Sequence, residues 1–210
     1  MALSTGPDLR PHDLVLFRAD DHRLPAWADR IDGHAWGVVR RADTPPGTIP
    51  LGVRGRTRDE RRALDIRSSD AVRSVAPETL IDGAPLLVTN PALARTISAV
   101  ARAAQTLLDH RAWGPTGSAG FELATGLPVV HRTSDLDMIV RAPDPMPRAE
   151  AAEIAAFLTA LPSRVDCLLE TGAGAVALTE WADRRLGQVV VRTPAGPILT
   201  ADPWSPSRSA

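Results

Sequence analysis

The stretch Ser134-Asp135-Leu136-Asp137-Met138-Ile139-Val140 restricts the fold more than any other part of this chain. In a β-strand, side chains two residues apart share a face. Asp135 and Asp137 then project together, while Leu136, Met138 and Val140 turn the other way. One face of the strand has to be covered by apolar groups, and the other has to tolerate two neighbouring carboxylates. A sheet with helices packed against it meets both demands.

The surrounding sequence supplies such a layer. Asn90-Pro91 has the chemistry of a helix start, an Asn N-cap followed by Pro in the first helical position. Leu93, Ile97, Val100, Ala101, Ala104, Leu107 and Leu108 follow at helical spacing, and the helix is expected to end near His110. Residues 114–117 read as a glycine-rich turn, and residues 118–125 as a short helix stopped by Gly126 and Pro128. The strand at 135–140 follows, then a helix over 149–161 with Ala151, Ile154, Ala155 and Leu158 on one side. A second strand is expected at 164–169 and a third at 188–192. Nearer the N-terminus, residues 14–17 and 36–39 read as short strands, with a short helix over 24–31 between them. Pro45-Pro46-Gly47 marks a loop. The expected class is α+β: a smaller N-terminal β-rich domain over residues 1–85 and a catalytic domain over 86–210, with the boundary near 83–90.

Composition narrows the function classes. The 210 residues are 44% hydrophobic and 23% charged, as in a globular protein with a sizeable core. No stretch is long and apolar enough to span a bilayer, and residues 1–10 lack an apolar leader core, so the expected location is the cytoplasm, with no membrane partner. A formal net charge of −1 gives no global field to draw in nucleic acid. Cys167 is the sole cysteine, which rules out an internal disulfide. There is no Lys, so all 24 basic residues are Arg. The plain explanation is a GC-rich genome; the functional one is that Arg grips phosphate through a fixed fork.

Two carboxylates on one strand face repel each other unless a cation sits between them, and a hard ion such as Mg2+ suits oxygen ligands. Asp135 and Asp137 are therefore the candidate metal and catalytic residues, against the bland reading of solvent-facing charges. Gly117-Ser118 opens the short helix before this strand, where free backbone N–H groups and the helix dipole favour phosphate. Ser118 as an ordinary N-cap is the alternative. In Arg164-Val165-Asp166-Cys167-Leu168-Leu169-Glu170, Asp166 and Glu170 share a face opposite Val165, Cys167 and Leu169. If that strand pairs with the first, Asp166 becomes a third metal ligand. Cys167, on the core side, reads as a small apolar residue.

A Gly-Ser turn, a short helix, an Asp-x-Asp strand, a helix and a strand bearing an Asp together resemble the polymerase-β-type nucleotidyltransferase core. The resemblance narrows at Gly117-Ser118-Ala119-Gly120-Phe121-Glu122-Leu123-Ala124-Thr125-Gly126 followed by Ser134-Asp135-Leu136-Asp137. This pattern is similar to the phosphoribosyl-dephospho-coenzyme A transferases of malonate decarboxylase, also called its holo-acyl-carrier-protein synthases. Gly52-Val53-Arg54-Gly55, with Arg58 and Arg62 after it, resembles the N-terminal part of that family, and the likeness runs from about His12 to Trp204. It departs after Asp166, where the family pattern is Gly-Glu-Leu and this chain has Cys167-Leu168-Leu169.

The resemblance implies a reaction. The donor is 2′-(5″-triphosphoribosyl)-3′-dephospho-CoA, and the acceptor is a serine of the apo acyl-carrier subunit of malonate decarboxylase. Pyrophosphate leaves, and two Mg2+ ions assist. Arg54 and Arg56, flanked by Gly52 and Gly55, are assigned to donor phosphates. Arg58, Arg61 and Arg62 are assigned to an acidic carrier. A solvated loop balanced by Asp59 and Glu60 is the alternative. Trp36, Trp113 and Trp181 read as core or rim residues before adenine platforms. The five His show no metal-ligand spacing, and only His131 lies near the Asp-x-Asp strand. Two other readings stay open: another nucleotidyltransferase of this type, moving a nucleoside monophosphate, and a non-catalytic binding module.

Overall fold

The structure, a computed structural model, describes residues 9–19, 24–55, 57 and 59–206. Internal contacts divide the chain into two units, residues 1–76 and 77–210. The division falls before the 83–90 stretch expected from sequence, because residues 77–86 fold into short 3-10 turns that pack on elements of the second unit.

The first unit is an antiparallel sheet of β1 (Leu14–Arg18), β2 (His34–Val39), β3 (Thr48–Arg54), β4 (Arg61–Arg67) and β5 (Ala71–Val75), in the order β4-β3-β2-β1-β5. The core-facing positions alternate with the pleat: Val15, Phe17, Ala35, Val39, Ile49, Leu51, Val53 and Ile66 form one cluster. Strands β4 and β5 lie at opposite edges, yet only the short turn Ser68–Asp70 joins them. Four residue steps from Arg67 to Ala71 reach at most about 14 Å, so the end of β4 and the start of β5 lie near each other.

No helix forms at 24–31. A single turn, with Ala28 N donating to Pro25 O at 3.0 Å, leads instead to Asp32 and Gly33 at positive φ. One turn supplies too few hydrogen bonds to sustain a helix, and Leu24 and Trp27 pack against the core cluster from this irregular segment.

The second unit holds α1 (Pro91–Leu107), β6 (Trp113–Pro115), α2 (Gly117–Thr125), β7 (Leu136–Arg141), α3 (Arg148–Thr159), β8 (Val165–Glu170), β9 (Ala175–Ala177), α4 (Leu178–Ala182), β10 (Val189–Thr193) and β11 (Gly196–Thr200). Its six strands run in the order β11-β10-β9-β8-β7-β6, so the class is α+β. Among the described strands only β7 and β8 pair in parallel, and α3 supplies the crossover that a parallel pair requires. Leu136, Met138 and Val140 face the same core as Cys167 and Leu169 and meet Leu93, Ile97 and Val100 of α1 there. Each of these large side chains is worth roughly 1.5–3 kcal/mol when fully buried. No described helix is long and apolar enough to cross a membrane.

The strands at 135–140, 164–169 and 188–192 appear within a residue or so of their expected bounds. The supposed turn at 114–117 is partly strand β6, whose residues are buried. Three of the remaining elements, β9, α4 and β11, have no counterpart in the sequence reading.

Candidate active site

Strand β7 places Asp137, and the residue just before it, Asp135, on the side opposite the core cluster. Both are partly exposed. Strand β8 runs beside it in a register that sets Asp137 against Asp166 and Leu136 against Val165. Leu136 N donates to Arg164 O at 2.9 Å, so the ladder extends one step further and Asp135 lies level with Arg164. Neighbouring strands are about 4.8 Å apart. Three carboxylates and one guanidinium therefore form a two-by-two patch on one sheet face.

Arg164 is the residue that sequence reasoning missed. Its Nη2 donates to both Asp166 oxygens, at 2.9 and 3.0 Å, and its Nε to Oδ1 at 3.3 Å. The hydrogen bonds and charge of Asp166 hold the guanidinium above its ordinary range, and the charges of Asp135 and Asp137 add to this. The signal was available in the sequence, since Arg164 and Asp166 are two apart and share a strand face. Asp135 accepts no hydrogen bond among the described residues.

Helix α2 begins directly over Asp137. Thr116 N donates to Asp137 O at 2.8 Å, tying the approach to the helix to the strand. Gly117 has φ +57°, and a Cβ built on it would fall 2.7 Å from Asp137 Cγ and closer still to Oδ2. Glycine is required here by the aspartate as well as by the backbone. The room left by the missing side chain is taken by Asp137. Ser118 is not the N-cap, because Thr116 holds that position. The Ser118 hydroxyl is partly exposed and makes no hydrogen bond among the described residues.

The segment that delivers Asp135 is fixed from two sides. Asn90 Oδ1 accepts from Leu93 N at 3.0 Å, as an N-cap should. Its amide also donates to the carbonyls of His131 and Ser134, each at 3.1 Å. One buried side chain thus starts α1 and holds the loop ahead of Asp135. On the other side, Glu122 Oε2 accepts from Val129 N and Val130 N at 2.8 and 2.7 Å. Thr125 Oγ1 donates to Phe121 O at 2.7 Å and accepts from Leu127 N at 3.1 Å, and Gly126 closes α2 at φ +72°.

The chemistry available on this face is that of hard oxygen donors. Asp135, Asp137 and Asp166 suit a divalent cation by ligand type, and a helix N-terminus stands beside them. Among the described residues, no three Asp, Glu, His or Cys groups converge on one point as a finished metal cage. Asp166 is engaged by Arg164 instead, so gathering all three carboxylates requires that ion pair to open.

The other candidates sort plainly. Cys167 is buried, which pushes its thiol up to about 12. Trp113 is buried in the core. The Trp181 ring is covered by the Arg148 guanidinium 4.1 Å from its centroid and meets Trp204 edge-on at 5.2 Å. Trp36 carries Arg73 at 5.6 Å. The His131 side chain is exposed, and its backbone is held by Ser134 and Asn90.

Arg54 ends β3 in the N-terminal unit, opposite Arg61 of β4. Arg56 and Arg58 lie outside the described residues. In the same hairpin, a Cβ on Gly55 would fall 2.9 Å from Glu60 Cβ, and Glu60 Oε2 accepts from Thr57 N at 3.0 Å. The missing side chain at Gly55 makes room for Glu60.

Residues 10–77 match the family model described as the phosphoribosyl-dephospho-CoA transferase MdcG N-terminal domain, and residues 80–203 match its C-terminal domain. Similar proteins include a phosphoribosyl-dephospho-CoA transferase from Pseudomonas aeruginosa, 38% identical over 208 residues that cover 97% of each chain. Proteins with the same name from Pseudomonas putida (strain GB-1) and Klebsiella pneumoniae are 42% and 39% identical. Those alignments cover 96% and 93% of this chain and 98% and 96% of the relatives. No solved structure matches the chain.

Proposed function

This chain belongs to the phosphoribosyl-dephospho-CoA transferase family, a family of transferase enzymes, and on that premise we propose that it attaches the phosphoribosyl-dephospho-CoA group to an acyl-carrier protein. The donor in this reading is 2′-(5″-triphosphoribosyl)-3′-dephospho-CoA, and the acceptor is a serine of the apo acyl-carrier subunit of malonate decarboxylase. The C-terminal unit is read as a polymerase-β-type nucleotidyltransferase core. The observation that carries the reading is the face shared by Asp135, Asp137 and Asp166, with the start of α2 against Asp137.

In the reaction, the serine Oγ forms a bond to the α-phosphorus of the donor. The bond from that phosphorus to the bridging oxygen breaks, and pyrophosphate leaves with the electron pair. The serine proton passes to solvent or to a carboxylate of the face. Asp135 and Asp137, joined by Asp166, would hold Mg2+, which when bound lowers the pKa of the attacking hydroxyl and neutralises charge on the leaving group. The backbone N–H groups at Gly117 and Ser118, at the start of α2, would meet an incoming phosphate, and the Ser118 hydroxyl would add one donor. Catalysis here is positioning and charge stabilisation, since phosphoryl transfer asks little covalent chemistry of the protein.

The test is mass measurement of apo-carrier incubated with protein, donor and Mg2+. Wild type should add the prosthetic group to the serine. Asp135→Asn and Asp137→Asn should keep the fold, by circular dichroism, and lose well over tenfold in rate, more than about 1.4 kcal/mol of transition-state stabilisation. Both variants within tenfold of wild type would reject the assignment of these residues. A carrier that stays unmodified with this donor but gains a nucleoside monophosphate when a nucleoside triphosphate replaces it would point to a different nucleotidyltransferase.

A further inference from the structure

The patch on β7 and β8 contains three acids and one base in register: Asp135 level with Arg164, and Asp137 beside Asp166. Arg164 grips Asp166 through both carboxylate oxygens and also feels the charges of Asp135 and Asp137. Its side chain is 75% exposed, so nothing packs it in place. An exposed ion pair of this kind is weak and opens readily. We propose that Arg164 is the exchangeable counter-ion of the carboxylate face: it occupies Asp166 in the metal-free protein, yields that carboxylate when a divalent cation enters, and turns its guanidinium to the phosphates of the donor.

The inference rests on reading Asp135, Asp137 and Asp166 as metal ligands. Given that reading, the physical argument is direct. A cation arriving on this face meets a positive charge about one strand spacing away, which lowers its affinity. Once Asp166 is taken by the metal, the guanidinium loses its partner at the place where a triphosphate arrives. The planar fork that held two carboxylate oxygens matches two phosphate oxygens equally well. The same residue therefore opposes the metal alone and favours the metal together with the phosphate. In this scheme Arg164 is a positioning residue toward the metal and a binding residue toward the donor.

The test uses the full chain and two ligands, Mn2+ followed by electron paramagnetic resonance, and inorganic pyrophosphate added at saturating Mn2+. Removing a unit charge about 5 Å from a divalent ion in high dielectric should tighten its binding about tenfold, so Arg164→Gln is expected to bind Mn2+ at least threefold more tightly than wild type. The same variant should bind pyrophosphate at least threefold more weakly. Arg164→Lys, which keeps the charge, should stay within threefold of wild type for Mn2+ and lose part of the pyrophosphate affinity. Mn2+ affinity in Arg164→Gln that is weaker, or less than threefold tighter, overturns the proposal, as does unchanged pyrophosphate affinity. Asp135→Asn separates the two readings. If wild type binds no Mn2+, or binds it equally well without Asp135, the metal assignment itself fails. If Asp135→Asn loses Mn2+ while Arg164→Gln behaves as wild type, only the role of Arg164 fails.

Discussion

Gly117 and Gly126 bracket α2, and replacing each by Ala separates backbone strain from damage to the site. Both have positive φ, +57° and +72°. An L-residue in that region loses roughly 1–2 kcal/mol, and at this size about 4 °C of melting temperature goes with each kcal/mol. Both variants should therefore melt about 4–8 °C lower. Their surroundings differ. A Cβ at 126 meets nothing within 4 Å, whereas one at 117 would stand 2.7 Å from Asp137 Cγ. Relief at 117 requires either the helix start or the Asp137 carboxylate to move by about an ångström. A shift of that size in a positioned group typically lowers the rate about a hundredfold. Gly126→Ala should keep transfer within about threefold of wild type, while Gly117→Ala should fall about a hundredfold at a similar melting temperature. The assays are thermal melting by circular dichroism and carrier modification by mass. Equal rates in the two variants would refute the claim that Gly117 is dictated by Asp137.

Three further outcomes follow from the geometry. Asn90→Ala should destabilise the C-terminal unit by about 2–4 kcal/mol, a cap of roughly 1 kcal/mol plus unmet carbonyls. Asn90→Asp keeps the cap and loses the amide donors, so urea melts should place it between Ala and wild type. Neutralising Arg61 and Arg62 should raise the KM for the carrier and flatten its salt dependence, while neutralising Arg54 should weaken the donor, and separate titrations of donor and carrier decide this. Cys167 should resist iodoacetamide in the folded protein up to pH 9 and react after denaturation. Because its thiol is raised from an ordinary 9.0 to about 12, its contribution to stability is intact below pH 9. That contribution is lost as pH rises toward 12, since the unfolded chain ionises first, and urea melts across this range would show it.

The faces of β7 and β8 were legible because period-two alternation reports directly which side chains share a side. Helix α1 was legible because Asn90 and Pro91 carry start chemistry and an unbroken apolar stripe follows. Alternation does not say which strand lies next to which, so the adjacency of Asp137 and Asp166 was a condition in the sequence and a finding in the structure. The three-residue strands β6 and β9 are too short to show a period, and β6 pairs with β7, a strand that begins more than twenty residues later. The second function of Asn90 was invisible for the same reason, since its amide reaches residues 131–134. The room left by the missing side chains at Gly117 and Gly55 is taken by Asp137 and Glu60, neighbours that no local pattern announces.

The run from Phe121 to Gly126, part of the pattern by which the chain resembles this family, is engaged in packing and in hydrogen bonds that hold the helix and the loop after it. Phe121 is buried, Glu122 ties down residues 129 and 130, and Thr125 with Gly126 ends the helix. A diagnostic pattern built on those residues detects scaffolding. On the proposed reading of Asp135 and Asp137 as metal ligands, a descendant that lost either but kept this run would still be recognised as kin and would lack the activity. Genome surveys that count such transferases should therefore score the two aspartates separately from the fingerprint, and treat a chain with the second but not the first as a candidate decoy or scaffold.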